Sequence, residues 1–370
     1  MSARFLTVVL ERAFNMRDGF GREIDYMRIS VIDSCNLNCY YCNPCDNNEH
    51  CHALNILSVK EVLCIVRAAT RLGIKHFRLT GGEPLLHPQL DEMVLQIKKI
   101  PGVSSVSLTT NAVLLAQHAK WLKEAGIDSI NVSLDTIDAS EYERITKKPL
   151  LEEVKHGINA AIECGIRVKI NVVLTPQTDV VALTRYVAKK GTDIRFIEMM
   201  PVGEGHTNGV EPYKKVIGTL SKLYGEPCRI NTEKTKEINS GNDKRKIPDN
   251  GPAEYYIFPE LGIRVGLIQA IHGKFCDTCN RIRVTADGRL MPCLGSSVTM
   301  DLVPDSWDFA DDVEKDFAIV RALRAAIKAK PRCHNFNDNV VTYTKTTETK
   351  TTEIEAAEVN AARNMSRIGG

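Results

Sequence analysis

The 370-residue chain has no long hydrophobic run: nowhere do apolar residues approach the roughly 18 in succession that a bilayer-spanning helix needs. It has little net charge. Lys plus Arg number 48 against 46 for Asp plus Glu, which excludes a polycation coating nucleic acid through bulk charge but permits a local basic cavity. It also shows no secretory leader, because the apolar part of Met1-Ser2-Ala3-Arg4-Phe5-Leu6-Thr7-Val8-Val9-Leu10-Glu11 is too short and charge comes too soon. No membrane and no nucleic-acid partner are therefore expected, and a cytoplasmic location is. What is present is cysteine, twelve in all. In a reducing compartment, clustered thiols point to metal or redox chemistry rather than disulfides. Hydrophobic residues at 43% and charged residues at 25% suffice for a core, and the length suits a barrel-sized domain plus an appendage.

A strand–helix rhythm fills roughly the first 200 residues. Strands are expected over 26–33, 75–80, 103–111, 128–135, 167–175 and 193–200. Helices are expected over 59–72, 90–100, 116–125, 151–164 and 180–190, with Gly73, Gly126, Gly165 and Gly191 as C-caps. Such alternation specifies a parallel sheet with right-handed crossovers, and six units favour an α/β partial (βα)6 TIM-like barrel over an open doubly wound sheet. Beyond Pro201 the rhythm stops. An amphipathic helix over 213–224, a mobile loop over 232–252, a hairpin over 254–269 and an exposed strand or insertion over 340–352 are expected. The division drawn is 1–205 for the barrel and 206–370 for a C-terminal domain.

The strands alternate where doubly covered strands would be continuously apolar. Met27, Ile29 and Val31 oppose Arg28 and Ser30; Phe77 and Leu79 oppose His76, Arg78 and Thr80. Val168, Ile170 and Val172 oppose Lys169 and Asn171, and Ile194 and Phe196 oppose Arg195. With helices on the apolar face, the polar face lines the inside of a curved sheet, a wet basic lumen suited to an anionic ligand.

Two cysteine sets carry chemistry. Cys35, Cys39 and Cys42 follow the first strand at a spacing that lets three thiolates converge on an iron–sulfur cluster, leaving one iron of four without a protein ligand. A zinc knuckle is the alternative. Thr80-Gly81-Gly82-Glu83-Pro84 follows the second strand; Gly81 and Gly82 permit close backbone approach, and Glu83 supplies an acceptor for an ammonium. Cys276 and Cys279, a hairpin turned at Asp287-Gly288, then Cys293 form a second metal-site layout. A structural zinc with Cys333 or His334 as a distant fourth ligand is the alternative there. Arg281 and Arg283 alternate on one face beside this set, as an anionic substrate requires.

The first set, with Tyr41 and the Gly-Gly-Glu-Pro loop, resembles the radical S-adenosylmethionine (SAM) superfamily. With the second set, and with Asp18-Gly19-Phe20-Gly21-Arg22, Thr109-Thr110-Asn111, Ser133-Leu134-Asp135, Arg195-Phe196-Ile197-Glu198 and the final Gly369-Gly370, most of the chain resembles the GTP 3′,8-cyclase family that opens molybdenum-cofactor biosynthesis. The resemblance implies two [4Fe-4S] clusters, at Cys35, Cys39 and Cys42 and at Cys276, Cys279 and Cys293. It implies SAM contacts from Tyr41, Gly82, Glu83, Thr109, Ser133 and Met200, and GTP contacts from Arg28, His76, Arg78, Lys169, Arg195, Arg281 and Arg283. Arg281, Arg283, Gly369 and Gly370 would serve catalysis, the two glycines by entering the active site. The radical step would take the ribose 3′ hydrogen of GTP and close the carbon onto C8 of guanine. An electron donor such as flavodoxin or ferredoxin and a downstream pterin synthase are implied partners, and a homodimer is compatible. The sequence departs from the family at His76, where a basic residue is usual, and at Ala112, where Gly is usual. It also departs over 43–52, a shortened segment carrying Cys45 and Cys51. Cys64, Cys164 and Cys228 read as core or surface residues. The rivals are a radical SAM enzyme that modifies a ribosomal peptide and a non-catalytic iron–sulfur or zinc scaffold.

Overall fold

Local signals place the helices. Before α1 (Val59–Arg71), Ser58 and Glu61 form a capping box, with the Ser58 hydroxyl accepting from the Glu61 N–H and the Glu61 carboxylate accepting from the Ser58 N–H. Asp138 caps α4 (Ala139–Thr146), a helix the sequence reading passed over, by accepting from the Glu141 N–H at 2.8 Å. The expected C-cap glycines all hold positive φ, between 63° and 88°. The computed structural model describes residues 16–42, 55–202, 210–230, 251–296, 298–302, 312–334 and 336. Residues 232–250 of the loop expected over 232–252, the segment 340–352, the thiols Cys45 and Cys51 and the tail Gly369-Gly370 lie outside them.

The six expected strands are β1 (Tyr26–Ser30), β2 (His76–Thr80), β3 (Ser105–Thr110), β4 (Ser129–Ser133), β5 (Val168–Leu174) and β6 (Asp193–Glu198). They pair in sequence order, all parallel. Between them run α1, α2 (Leu90–Lys98), α3 (Leu115–Glu124), α4, α5 (Leu151–Glu163) and α6 (Val180–Lys189). The apolar face of the strands, with Met27, Ile29, Phe77, Leu79, Ile130, Ile170 and Phe196 all within 1% of full burial, packs with the helices into one continuous core. This is the partial barrel.

The later chain does not build a separate sheet. After α7 (Gly218–Tyr224) come β7 (Cys228–Ile230), β8 (Glu254–Phe258) and β9 (Ile263–Ile268). They are followed by β10 (Arg281–Val284), β11 (Arg289–Met291), β12 (Met300–Asp301) and α8 (Asp312–Lys328). β9 pairs parallel with β6, and β10 pairs parallel with β1, so the chain on both sides of 205/206 shares one sheet ordered β12-β11-β10-β1-β2-β3-β4-β5-β6-β9-β8-β7. The expected hairpin over 254–269 is β8 and β9, and the Asp287-Gly288 turn joins β10 to β11. The expected helix over 213–224 begins instead as a π-helix at Tyr213–Ile217 before α7. An Arg71–Asp316 ion pair at 2.8 Å ties α8 to α1. Among the described residues no helix is long and apolar enough to cross a membrane.

Candidate active site

At the C-terminal ends of the strands, Cys35, Cys39 and Cys42 sit on the loop leaving β1. All three are free thiols, and burial first, then their mutual proximity, pushes Cys39 above the ordinary range and Cys42 up to about 12. Cys35 rises to about 11, through burial first and then the nearby Glu83. Tyr41 donates its hydroxyl to Asp135 at 2.5 Å, and Asp135 also accepts from the Val173 N–H, so the loop is pinned to the ends of β4 and β5. The Gly-Gly-Glu-Pro turn braces the loop from its other side. Gly82 N–H donates to the Ile32 carbonyl (2.7 Å) and Glu83 N–H to the Ser34 carbonyl (2.8 Å). A Cβ at Gly81 would stand 2.4 Å from the Ile32 oxygen, and one at Gly82 would stand 2.2 Å from the Ser34 oxygen. The glycines thus answer first to the cysteine loop's own backbone. Glu83, 1% exposed, accepts from Leu85 N–H, Thr110 Oγ1 and Asn111 N–H at 3.0, 2.6 and 2.7 Å, and burial pushes it up to about 7.

Thr109 and Ser133 lie near the C-terminal ends of β3 and β4 on the polar face, and Met200 follows β6, packed against Val202 and Met291. All six residues implied for SAM therefore share the first triad's end of the sheet.

Further along the same face lie the cations. Arg283, Arg28 and Arg78 occupy one register row across β10, β1 and β2. Burial, then the charges of Arg283, Arg78 and Arg281, drives Arg28 well below the usual arginine range; burial and Arg281 lower Arg283 to about 10. Arg78 donates to the Tyr26 hydroxyl at 2.5 Å and to Thr109 Oγ1 at 3.4 Å. Lys169 and Arg195, each 4% exposed, line β5 and β6, where Arg195 donates to Asn171 Oδ1 at 2.9 Å. His76 pairs with Ser105 Oγ at 2.8 Å, and burial holds it below the ordinary imidazole range, hence neutral at pH 7. Among the described residues the buried Asn131 Oδ1 and Arg281 Nε meet no hydrogen-bond partner, as groups that face a polar ligand would.

The second triad stands at the other end. Cys276 and Cys279 precede β10, and Cys293 follows β11, which runs back antiparallel, so all three gather at the N-terminal end of β10. Burial first, then Cys293 and Cys279, raises Cys276; burial would raise Cys279 too, but the charges of Arg281 and Lys330 hold it below the ordinary thiol range. β1 and β10 are parallel and in register, and five residues at about 3.3 Å each span ~17 Å. The two thiol sets therefore bracket the arginine row from opposite ends. Among the described residues no three His, Cys, Asp or Glu side chains form a group that could hold a metal ion. A four-iron cluster is wider than one ion, and three uncombined thiols per loop or hairpin are the donor chemistry it takes. A cavity of about 640 Å³ adjoins the CxxC turn, lined by Arg229, Glu254, Gln269, Lys274, Phe275 and Asp277 among others.

Three contributors had no role assigned to them from the sequence. Asp193 accepts from both Nε and Nη2 of Arg264, a buried pair locking β9 to β6. The Tyr255 ring takes the Lys169 ammonium at 5.9 Å on the polar face. Glu198 accepts from the Ile271 and His272 N–H groups and clamps the chain leaving β9. Each links β5 or β6 to the chain at β8, at β9 or just after it, a placement local periodicity does not encode; only the Glu198 segment carried a signal, as a family motif.

The partial barrel with a three-thiol loop after its first strand defines a radical SAM protein, and residues 29–182 match the family model described as the Radical SAM superfamily. Residues 192–336 match the model described as Molybdenum Cofactor Synthesis C. The chain belongs to the GTP 3′,8-cyclase family. It is 35% identical over 324 residues to the GTP 3′,8-cyclase of Clostridium perfringens (strain SM101 / Type A), covering 87% of this chain and 95% of that one. It is 37% identical over 328 residues to that of Peptoclostridium acidaminophilum, covering 87% and 94%. Among solved structures, Streptococcus suis SuiB bound to S-adenosylmethionine shares the fold at TM-score 0.53 and 14% identity, covering 81% of this chain and 65% of that one.

Proposed function

We propose that this protein is a radical SAM lyase that converts GTP to 3′,8-cyclo-7,8-dihydro-GTP. SAM lies at the C-terminal edge of the barrel and GTP in the lumen, between a [4Fe-4S] cluster on Cys35, Cys39 and Cys42 and a second on Cys276, Cys279 and Cys293. The observation that carries the reading is the bracketing of one arginine row by two thiol triads at opposite ends of β1 and β10. When bound, the first cluster with SAM would supply the radical that removes the ribose 3′ hydrogen.

The chain's own residues supply charge, position and dryness. Arg28, Arg78, Arg281 and Arg283 crowd one another across β10, β1 and β2, and a triphosphate relieves that repulsion through charge-assisted hydrogen bonds. Lys169 and Arg195 extend the cationic wall across β5 and β6. Tyr41, Gly82, Glu83, Thr109, Ser133 and Met200 shape the SAM side, Glu83 ionising as the SAM ammonium arrives. His76, neutral and bonded to Ser105, offers the substrate a hydrogen bond rather than a charge. Gly369 and Gly370 belong to the reading as the tail that enters the site. So do a cytoplasmic location, an electron donor of flavodoxin or ferredoxin type, a downstream pterin synthase and a homodimer.

The test is anaerobic turnover of reconstituted protein with GTP, SAM and a strong reductant. Formation of 5′-deoxyadenosine together with the cyclised nucleotide is expected. SAM cleavage that GTP neither stimulates nor couples to product would overturn the substrate assignment.

A further inference from the structure

A fourth free cysteine, Cys333, lies on a segment that runs beside the second site. After α8 the chain runs back across the cysteine hairpin. Lys330 donates to the carbonyls of Arg281 and Pro292 at 2.8 Å each. Arg22 donates to the carbonyls of Cys276 (2.7 Å), Arg332 (2.9 Å) and Pro331 (2.6 Å). At Gly295, two residues past Cys293, a Cβ would lie 2.6 Å from the His334 Cβ. Segment 330–334 is therefore tied to the stretches that carry Cys279 and Cys293 directly, and to the stretch that carries Cys276 through Arg22. Cys333 sits inside it, free and exposed, next to Arg332, whose carbonyl shares the Arg22 Nη1 donor with the carbonyl of Cys276.

We propose that Cys333 is a displaceable fourth thiolate of the second site. The proposal rests on the reading that Cys276, Cys279 and Cys293 hold a four-iron cluster, whose remaining iron has no protein ligand. The Cys333 thiol binds that iron and gives its proton to water. When substrate takes the position, the iron–sulfur bond breaks and the thiolate takes a proton back; no electron moves. The resting site is thereby closed to adventitious ligands, and substrate binds in competition with the chain itself. A thiolate suits cluster iron better than imidazole does. The neighbouring His334 ring is held by the Ala270 carbonyl at 2.7 Å and by the Phe336 ring at 4.1 Å, whereas the exposed Cys333 side chain is free to swing.

The test uses the full chain with Cys35, Cys39 and Cys42 replaced by Ser, so that only the second site loads. Protein reconstituted anaerobically is oxidised with ferricyanide and examined by electron paramagnetic resonance, with GTP affinity measured by calorimetry. A cluster with an open iron sheds it to a three-iron form, so Cys333→Ser should raise the three-iron signal several-fold over the parent. It should also tighten GTP binding by about tenfold if the thiolate holds the iron nine-tenths of the time. Equal signals and equal affinities would overturn the proposal, as would a gain in His334→Ala instead of Cys333→Ser. Parent protein that takes up zinc or no iron would overturn the two-cluster reading first, and the iron count separates that failure from the other.

Discussion

Ala112 holds φ 66°, the left-handed region where a side chain costs about 1–2 kcal/mol, at the position where the family usually carries glycine. Its carbonyl packs so tightly on α5 that a Cβ at Gly157 would stand 2.3 Å away. A β-branched residue cannot share that conformation: Ala112→Val should lose more than about 2 kcal/mol, read as a fall in melting temperature, whereas an unchanged melt would show that the turn yields. The buried carboxylates make a second residue-scale case. Burial raises Asp135 to about 6 and Glu83 to about 7, so the folded chain binds these protons more tightly than the unfolded one. Their contribution to stability is present at low pH and is lost as pH rises from about 4 through about 7. Asp135→Asn keeps an acceptor and removes the charge. In cofactor-free protein it should gain on the parent by up to about 2–3 kcal/mol at pH 8 and by nothing at pH 4, in urea midpoints. A gain that is constant with pH would refute the assignment.

Paired strands set the next scale. β10, β1 and β2 place Arg283, Arg28 and Arg78 side by side, an arrangement that weakens the empty protein and serves only an anion. Arg28→Met should therefore raise the melting temperature of the cofactor-free protein while weakening GTP binding roughly 10–100-fold. A variant that melts lower and binds GTP normally would reverse the roles. The polar face of the barrel was legible in the sequence because strand alternation has a period of two and shows in five consecutive residues. The thiol sets were legible because their spacing is local. What stayed hidden was which strands close the edges: nothing in Ile263–Ile268 or Arg281–Val284 says that one will flank β6 and the other β1. The Asp193–Arg264 lock and the opposed placement of the two triads follow from that pairing, so they were hidden with it.

At the scale of the whole molecule, Arg22 joins the beginning, the second thiol set and the chain beyond α8. It is braced by Asp18 at 2.5 Å and donates across separations of 254 and 310 residues. Removing it leaves Asp18 buried without its partner, so Arg22→Ala should cost about 3–5 kcal/mol and lower iron loading at the second site before the first. Equal loss at both sites would mean general unfolding. The tail belongs to this scale too. If Gly369 and Gly370 enter the site, their deletion should leave iron content and SAM binding intact while product formation collapses; turnover at the parent rate would place them outside the mechanism.

The pairing of β1 with β10 also sets a timetable for biosynthesis. β1 emerges early, yet the residues that cover its outer edge follow 255 positions later, as the Asn280 bond to Asp25 marks. At about 5–20 residues per second the ribosome needs ~13–50 s to deliver them. For that interval the nascent chain carries an open parallel edge with Arg28 at its centre, whose charge discourages a second nascent chain from adding there. Replacing Arg28 should therefore lower soluble yield during rapid expression even though the finished cofactor-free protein melts higher.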